Sequence, residues 1–276
     1  MLESGVSGGS ASPPPATAAR FTVESVTAVR RWTSKLVSFR TSRAPGFRFT
    51  PGHYTRVGLG GADGDPVWRP FSVVSATYDP HLEFVAVLVP GGEFSDLLAE
   101  IRAGDPVRVD KSSYGFLTID HFAPGEDLWL LASGTGLGPF VSILRDPATW
   151  AAFRTVVVVH SVRHAGELAY RDEIAAIPRE ELTPIEPARL RYVPVVTRES
   201  GPGVLNARIP QLVESGSLES AAGVSLDPRR SRLMVCGNPD LAHALRRQLT
   251  ARGFHVNRRA MPGQLAFENY WPGTPS

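Results

Sequence analysis

Across residues 20–122 apolar positions come in short runs broken by turn residues: FTVESVTAV (21–29), LVSFRT (36–41), HYTRVGLG (53–60), RPFSVVSA (69–76), LEFVAVLV (82–89) and DPVRVD (105–110). Runs of this length and spacing predict β-strands, and so many in succession predict an antiparallel barrel. One segment differs. In EFSDLLAEI (93–101) the apolar positions fall at helical spacing, directly after the Pro90-Gly91-Gly92 turn, so a single helix is expected among the strands.

After Pro124-Gly125-Glu126 the rhythm changes to strand then helix: LWLLAS then FVSILRD, TVVVVHSV then YRDEIAAI, YVPVVTR then RIPQLVES, RLMVCG then PDLAHALRRQLTARG. Near-continuous apolar strands between helices predict a parallel sheet covered on both faces. The fold class expected is therefore β followed by α/β, with a barrel over 20–123 and an α/β domain over 124–276. No internal repeat is visible.

The length of 276 residues fits two cores, and 42% hydrophobic with 20% charged residues fits a globular chain with no run long enough for a bilayer. The 29 basic and 27 acidic residues nearly cancel, which argues against nucleic acid or anionic lipid as the main partner. Cys236 is the sole cysteine. It excludes an internal disulfide or an all-cysteine iron–sulfur site and points to a reducing, cytoplasmic setting. The stretch 1–19, rich in Gly, Ser, Pro and Ala, lacks the basic start and apolar core of a secretory signal and is expected to be a flexible tail.

Three short segments carry candidate chemistry. ASGTGLGPF (132–140) joins an apolar strand to a helix; its amides suit a phosphate at a helix N-terminus, although such glycines serve equally for tight packing, and the spacing departs from G-x-G-x-x-G. Arg69-Pro70-Phe71-Ser72 offers a fork for a pyrophosphate, an aromatic for a flat ring and a hydroxyl for a ring nitrogen. The plainer reading is an exposed Arg and a core Phe. Cys236-Gly237-Asn238-Pro239 lies between strand and helix, where a buried structural cysteine is common. The seven histidines show no metal-ligand spacing, Ser133 lacks a G-x-S-x-G elbow, and Asp172 and Glu173 suit a helix N-terminus better than catalysis.

In their order, RPFS, VPGGEFS, ASGTGLGPF, VCGNP and a terminal Tyr270-Trp271, these segments resemble the bacterial ferredoxin/flavodoxin–NADP+ reductases, over roughly residues 20–271. The resemblance implies an FAD-binding barrel, an NADP-binding α/β domain and a flavin between them. It puts FAD against Arg69, Pro70, Phe71, Ser72, Val85, Ala86, Val87, Glu93, Phe94, Ser95, Thr135, Tyr270 and Trp271. Ser72 and Cys236 would stand beside the reactive ring, and Thr135 with Gly136 would admit the nicotinamide. Phe71 departs from the family's tyrosine and loses its hydroxyl. Chains of the family commonly stop at the tryptophan, whereas five residues follow Trp271 here.

For the NADP 2′-phosphate the resemblance implies Arg163, Arg198 and Arg208, with Val162 and Thr197 beside them and Gly237, Asn238 and Pro239 forming the opposite turn. Arginine suits that dianion through bidentate hydrogen bonds. All three arginines are expected at the carboxyl ends of successive strands, where open α/β sheets bind ligands. The implied activity is hydride exchange between NADP(H) and FAD and single-electron exchange with a separate ferredoxin or flavodoxin, by a monomer. An NAD(P)H-dependent flavin reductase, or the reductase component of an oxygenase, is the alternative enzyme. A non-catalytic flavoprotein would leave the arginines and the CGNP turn without purpose.

Overall fold

The computed structural model describes residues 20–60, 65–177, 188–258 and 261–268. The first half holds six antiparallel strands: β1 (Phe21–Arg31), β2 (Leu36–Ser42), β3 (Tyr54–Leu59), β4 (Val67–Ser72), β5 (His81–Val87) and β6 (Pro106–Asp110), in the order β4-β3-β6-β1-β2-β5. The helix expected near residue 93 forms as α1 (Glu93–Glu100). Phe94 and Leu98, four apart on one face, enter the barrel core with Phe39, Phe84, Val57 and Val107. Beyond the two end strands the gap narrows to a hydrogen bond from the Val74 N–H to the Glu83 carbonyl, 2.9 Å. Above it, Arg69 to Ser72 and Val85 to Val87 form the outer edges of β4 and β5.

The second half is a parallel sheet of β7 (Asp127–Ser133), β8 (Thr155–Val162), β9 (Arg189–Val196), β10 (Ser231–Cys236) and β11 (Leu265–Glu268), ordered β11-β10-β7-β8-β9. β7, β8 and β10 are buried on both faces, as their apolar runs require, whereas the edge strand β9 exposes Arg189 and Arg191 in its first half. Leu128, Leu130, Val156 and Val158 face one core; Trp129, Leu131, Val157 and Val159 face the other. Fully burying each such side chain stabilises the fold by about 1.5–3 kcal/mol. The helices are α2 (Gly138–Leu144), α3 (Pro147–Ala152), α4 (Arg171–Ala175), α5 (Ile209–Glu214), α6 (Ser217–Ala222) and α7 (Pro239–Ala251). Among the described residues no helix is long and apolar enough to cross a membrane.

The first of those cores is shared: Leu36, Val74, Val85 and Leu117 of the barrel half pack in it with Phe140, Val141 and Ile143 of α2. Barrel and sheet are therefore joined by apolar packing, and their seam lies beside the open gap between β4 and β5.

Candidate functional site

The chain enters the sheet at β7, moves out through β8 to β9, then returns to add β10 on the other side of β7. Beyond the carboxyl ends of β7 and β10 the connections diverge, leaving a crevice where such sheets receive nucleotides. Both glycine turns lie there. Gly134 to Leu137 forms a 3-10 turn after β7, and Gly237, at φ 136°, follows β10. Their glycines allow close approach: a Cβ on Gly136 would fall 2.8 Å from the Gly237 amide nitrogen and nearer still to the Cys236 carbonyl, and a Cβ on Gly237 would fall 2.7 Å from the Ser133 carbonyl. The Asn238 N–H then donates to Ser133 Oγ at 3.0 Å. Asn238 also caps α7, its side chain accepting the Asp240 N–H at 2.7 Å, with Pro239 in the first turn. Tight packing, left open by the sequence, is one purpose these glycines serve.

A third glycine joins this crevice to the barrel. A Cβ on Gly138, at the start of α2, would meet Val85 Cγ1 at 3.2 Å and Ser72 Cβ at 3.5 Å. Ser72 and Thr135 are each half-buried. The candidate ring-facing residues of β4, β5 and the β7 turn are thus brought to one place. Val85 faces the shared core, whereas Ala86 points into the barrel, so Ala86 can meet a ligand in the gap through its main chain. Val87 is exposed.

Phe71 packs on Phe94 with ring centroids 5.2 Å apart and on Phe39 and Phe84 at 6.2 Å, leaving it half-buried. Arg69 is exposed; its guanidinium reaches the Trp68 carbonyl at 2.8 Å, and it forms no ion pair among the described residues. Pro70 and Glu93 are exposed too, and Ser95 sits in the first turn of α1, where its Oγ accepts the Val89 N–H at 3.0 Å. The cap of α1 is Gly92, not Ser95. The serine proton stays available for an anion before the helix.

Cys236 is fully buried. Burial first, and Glu268 second, push its thiol well above the ordinary range, so it is neutral and contributes shape and polarity, not a thiolate. Tyr270 and Trp271 lie outside the described residues, as does the tail 1–19.

At the far side, Arg163 follows β8 and Arg198 follows β9, both exposed, with the Arg198 N–H donating to the Arg163 carbonyl at 3.0 Å. Val162 is buried behind them, and Thr197 Oγ1 donates to its carbonyl at 3.1 Å. Glu167 accepts the Arg163 N–H at 2.9 Å. Glu199 accepts the Ala165 N–H at 2.8 Å and pairs with His164, and these two contacts, in that order, hold its carboxyl below the ordinary range. Arg208 is not at a strand end. It precedes α5, after the Leu205 segment has paired back on β9 through the Val196 N–H at 2.8 Å. The side chain is exposed at a helix N-terminus. A cavity of about 450 Å³ adjoins these loops, lined in part by Trp32, Leu168, Arg171, Val196, Glu199 and Val204.

Two residues that the sequence reading passed over belong to the site's support. His160, buried in β8, bonds Tyr192 Oη through Nδ1 at 3.1 Å and the main chain of Gly134 in the β7 turn. Burial pulls its pKa down to about 4, so it is neutral near pH 7. Tyr170, buried just before α4, is the second. A histidine at the end of TVVVVHSV was the available signal for the first.

Comparison with known proteins bears on the fold and the family. Residues 130–247 match the model of the oxidoreductase NAD-binding domain. Over 258 residues the chain is 39% identical to ferredoxin–NADP reductase A of Sorangium cellulosum, covering 92% of this chain and 91% of that protein. It is 38% identical over 247 residues to flavodoxin/ferredoxin–NADP reductase of Escherichia coli, covering 89% and 97%. A crystal structure of a ferredoxin NADP+ reductase from Neisseria gonorrhoeae with bound FAD and NADP superposes with a TM-score of 0.85 at 38% identity, covering 92% of this chain and 100% of that one.

Proposed function

Because this chain belongs to the ferredoxin/flavodoxin–NADP reductases, we propose that it is an FAD-dependent oxidoreductase exchanging a hydride with NADP(H) and single electrons with a ferredoxin or flavodoxin. The observation that carries this reading is the convergence of Ser72, Val85 and Gly138 at the mouth of the crevice formed by β7 and β10. A flat ring in the gap between β4 and β5 would there face a nicotinamide entering over Gly136.

The residues present fit FAD. Arg69, exposed and without a carboxylate partner among the described residues, together with the start of α1 and Ser95, suits a pyrophosphate. Phe71 offers an aromatic face, and the edges of β4 and β5 offer main-chain groups to the ring. Bound FAD supplies two-electron acceptance and one-electron release. The chain's own residues supply position. In this proposal Ser72 and Thr135 orient the ring and nicotinamide, and the Gly136–Cys236 contact sets how deeply the nicotinamide enters. The shared apolar core excludes water behind the reacting face. Arg163, Arg198 and Arg208 hold the 2′-phosphate, while Gly237, Asn238 and Pro239 border the nicotinamide end.

We assign 20–123 to FAD and 124–276 to NADP, with the chain end returning to FAD through Tyr270 and Trp271. Removing the residues after Trp271 should leave FAD affinity nearly intact, whereas truncation after Asn269 should weaken it; equal dissociation constants would remove the chain end from the site. Action as a cytoplasmic monomer belongs to the proposal, and a sedimentation mass of a dimer would contradict its oligomeric part. The function is tested by turnover with NADPH and ferredoxins or flavodoxins from the same genome. Turnover with a purified oxygenase component or free flavin, and none with those carriers, would favour the alternative.

A further inference from the structure

Tyr170 has φ 62°, the one positive value among the described non-glycine residues. The left-handed region crowds the Cβ of a bulky residue, so something must hold it there. Its side chain is 2% exposed. The hydroxyl donates to Glu83 Oε1 at 2.9 Å, across 87 residues of chain, and the ring lies 4.8 Å from that of Trp32 on the barrel.

Glu83 is itself buried, at 4% exposure, on β5. Its second oxygen stands 3.1 Å from Arg40 Nε of β2 and 3.8 Å from Arg145 Nη1, at the end of α2. Its main chain accepts from Val74 and donates to Ser75 Oγ at 2.6 Å, and α2 binds the same stretch through Ser142 Oγ to the Ser75 carbonyl at 2.7 Å. One carboxylate therefore gathers two barrel strands and two elements of the α/β half. Arg30, stacked over Trp32 and paired with Glu173 of α4, ties the same places a second time.

Each arm of this cluster runs to the proposed site. Glu83 and Val85, two apart on β5, share a face. The other end of α2 is Gly138, against Val85 and Ser72. Tyr170 closes the segment that opens at Arg163. A buried ion-paired carboxylate is a poor source of net stability, because desolvation offsets the attraction, but it specifies one arrangement of its partners.

We infer that the Tyr170–Glu83 hydrogen bond sets the NADP(H) half against the flavin half, which makes both residues positioning residues for hydride transfer and not for the binding of either nucleotide. The inference rests on the function proposed above and deepens it. A purely structural contact would change stability and FAD retention without separating transfer from binding.

The test is Tyr170→Phe, which keeps the ring and its packing on Trp32, in the FAD-loaded protein beside wild type. In anaerobic stopped flow its limiting rate of flavin reduction by NADPH should fall about tenfold, within the roughly hundredfold that a misplacement of about 1 Å between reacting groups can cost. The NADPH and FAD dissociation constants should move less than about twofold, and the Val74 amide should exchange faster with solvent. Glu83→Gln, which keeps the shape and an acceptor, should give the same pattern more weakly, and it replaces Tyr170→Phe if that variant does not fold. Adding Tyr170→Phe to Glu83→Gln should cost less than it costs alone. An unchanged rate in both single variants, or a rate loss matched by lost NADPH affinity, overturns the inference while wild type is still reduced. If NADPH fails to reduce wild type, the proposed function falls first and takes the inference with it.

Discussion

Gly136 packs directly on the main chain of Cys236, leaving no room for a side chain between the turn after β7 and the turn after β10. Both neighbours are backbone, so Gly136→Ala must push the turns apart. The expected outcome is a stability loss of roughly 1–3 kcal/mol in urea denaturation and slower flavin reduction by NADPH. Wild-type behaviour on both counts would mean that the two turns yield without consequence.

Ser72→Ala keeps the Cβ that lies against Gly138 and removes only the hydroxyl. Stopped-flow reduction should slow more than NADPH binding weakens. A hydride-transfer rate equal to that of wild type would take Ser72 out of the reacting centre.

Arg198→Ala should lower kcat/KM for NADPH about tenfold or more, since a charge-assisted hydrogen bond contributes about 1.5–3 kcal/mol, and leave NADH almost untouched. Equal losses with both nucleotides would make Arg198 a structural residue. The exposed side chain and the adjacency of its main chain to Arg163 favour the selective result.

His160 gives a pH dependence of stability. Its pKa is about 4 in the folded protein against an ordinary 6.5, so the folded state refuses a proton that the unfolded chain accepts. The stability this provides is fully present above pH 6.5 and is lost as pH falls from 6.5 to about 4, roughly 3 kcal/mol in all. Denaturation midpoints should fall over that window, and His160→Gln should flatten the decline while lowering stability at pH 7. Parallel slopes in the two proteins would assign the pH dependence to other groups.

The order of elements was readable because burial on both faces forces unbroken runs such as TVVVVHSV, and because the core positions of α1 recur at helical spacing. The short α3 and α6 carry too little periodic pattern to be seen. Arg208 was expected at a strand end, but the chain between Val196 and Arg208 first pairs back on the edge strand, a tertiary detail without a local signal. Among the site residues, RPFS and the glycine turns were visible as motifs. That Gly138 would bring Ser72 to the β7 turn depends on how the halves dock. The Glu83–Tyr170 contact was illegible for the same reason: Glu83 reads as an ordinary polar position of an alternating strand, and its partner is 87 residues away.

FAD in the gap between β4 and β5 and NADPH reaching it over Gly136 are proposed together, and one measurement tests both. The most direct measurement is to identify the cofactor released from the purified protein, then follow the flavin absorbance of the loaded protein as NADPH or NADH is added without oxygen. FAD is the expected cofactor, and bleaching should be faster with NADPH than with NADH at equal concentration. FMN in place of FAD, no flavin bound after reconstitution, or a flavin that NADPH leaves oxidised would contradict the proposal.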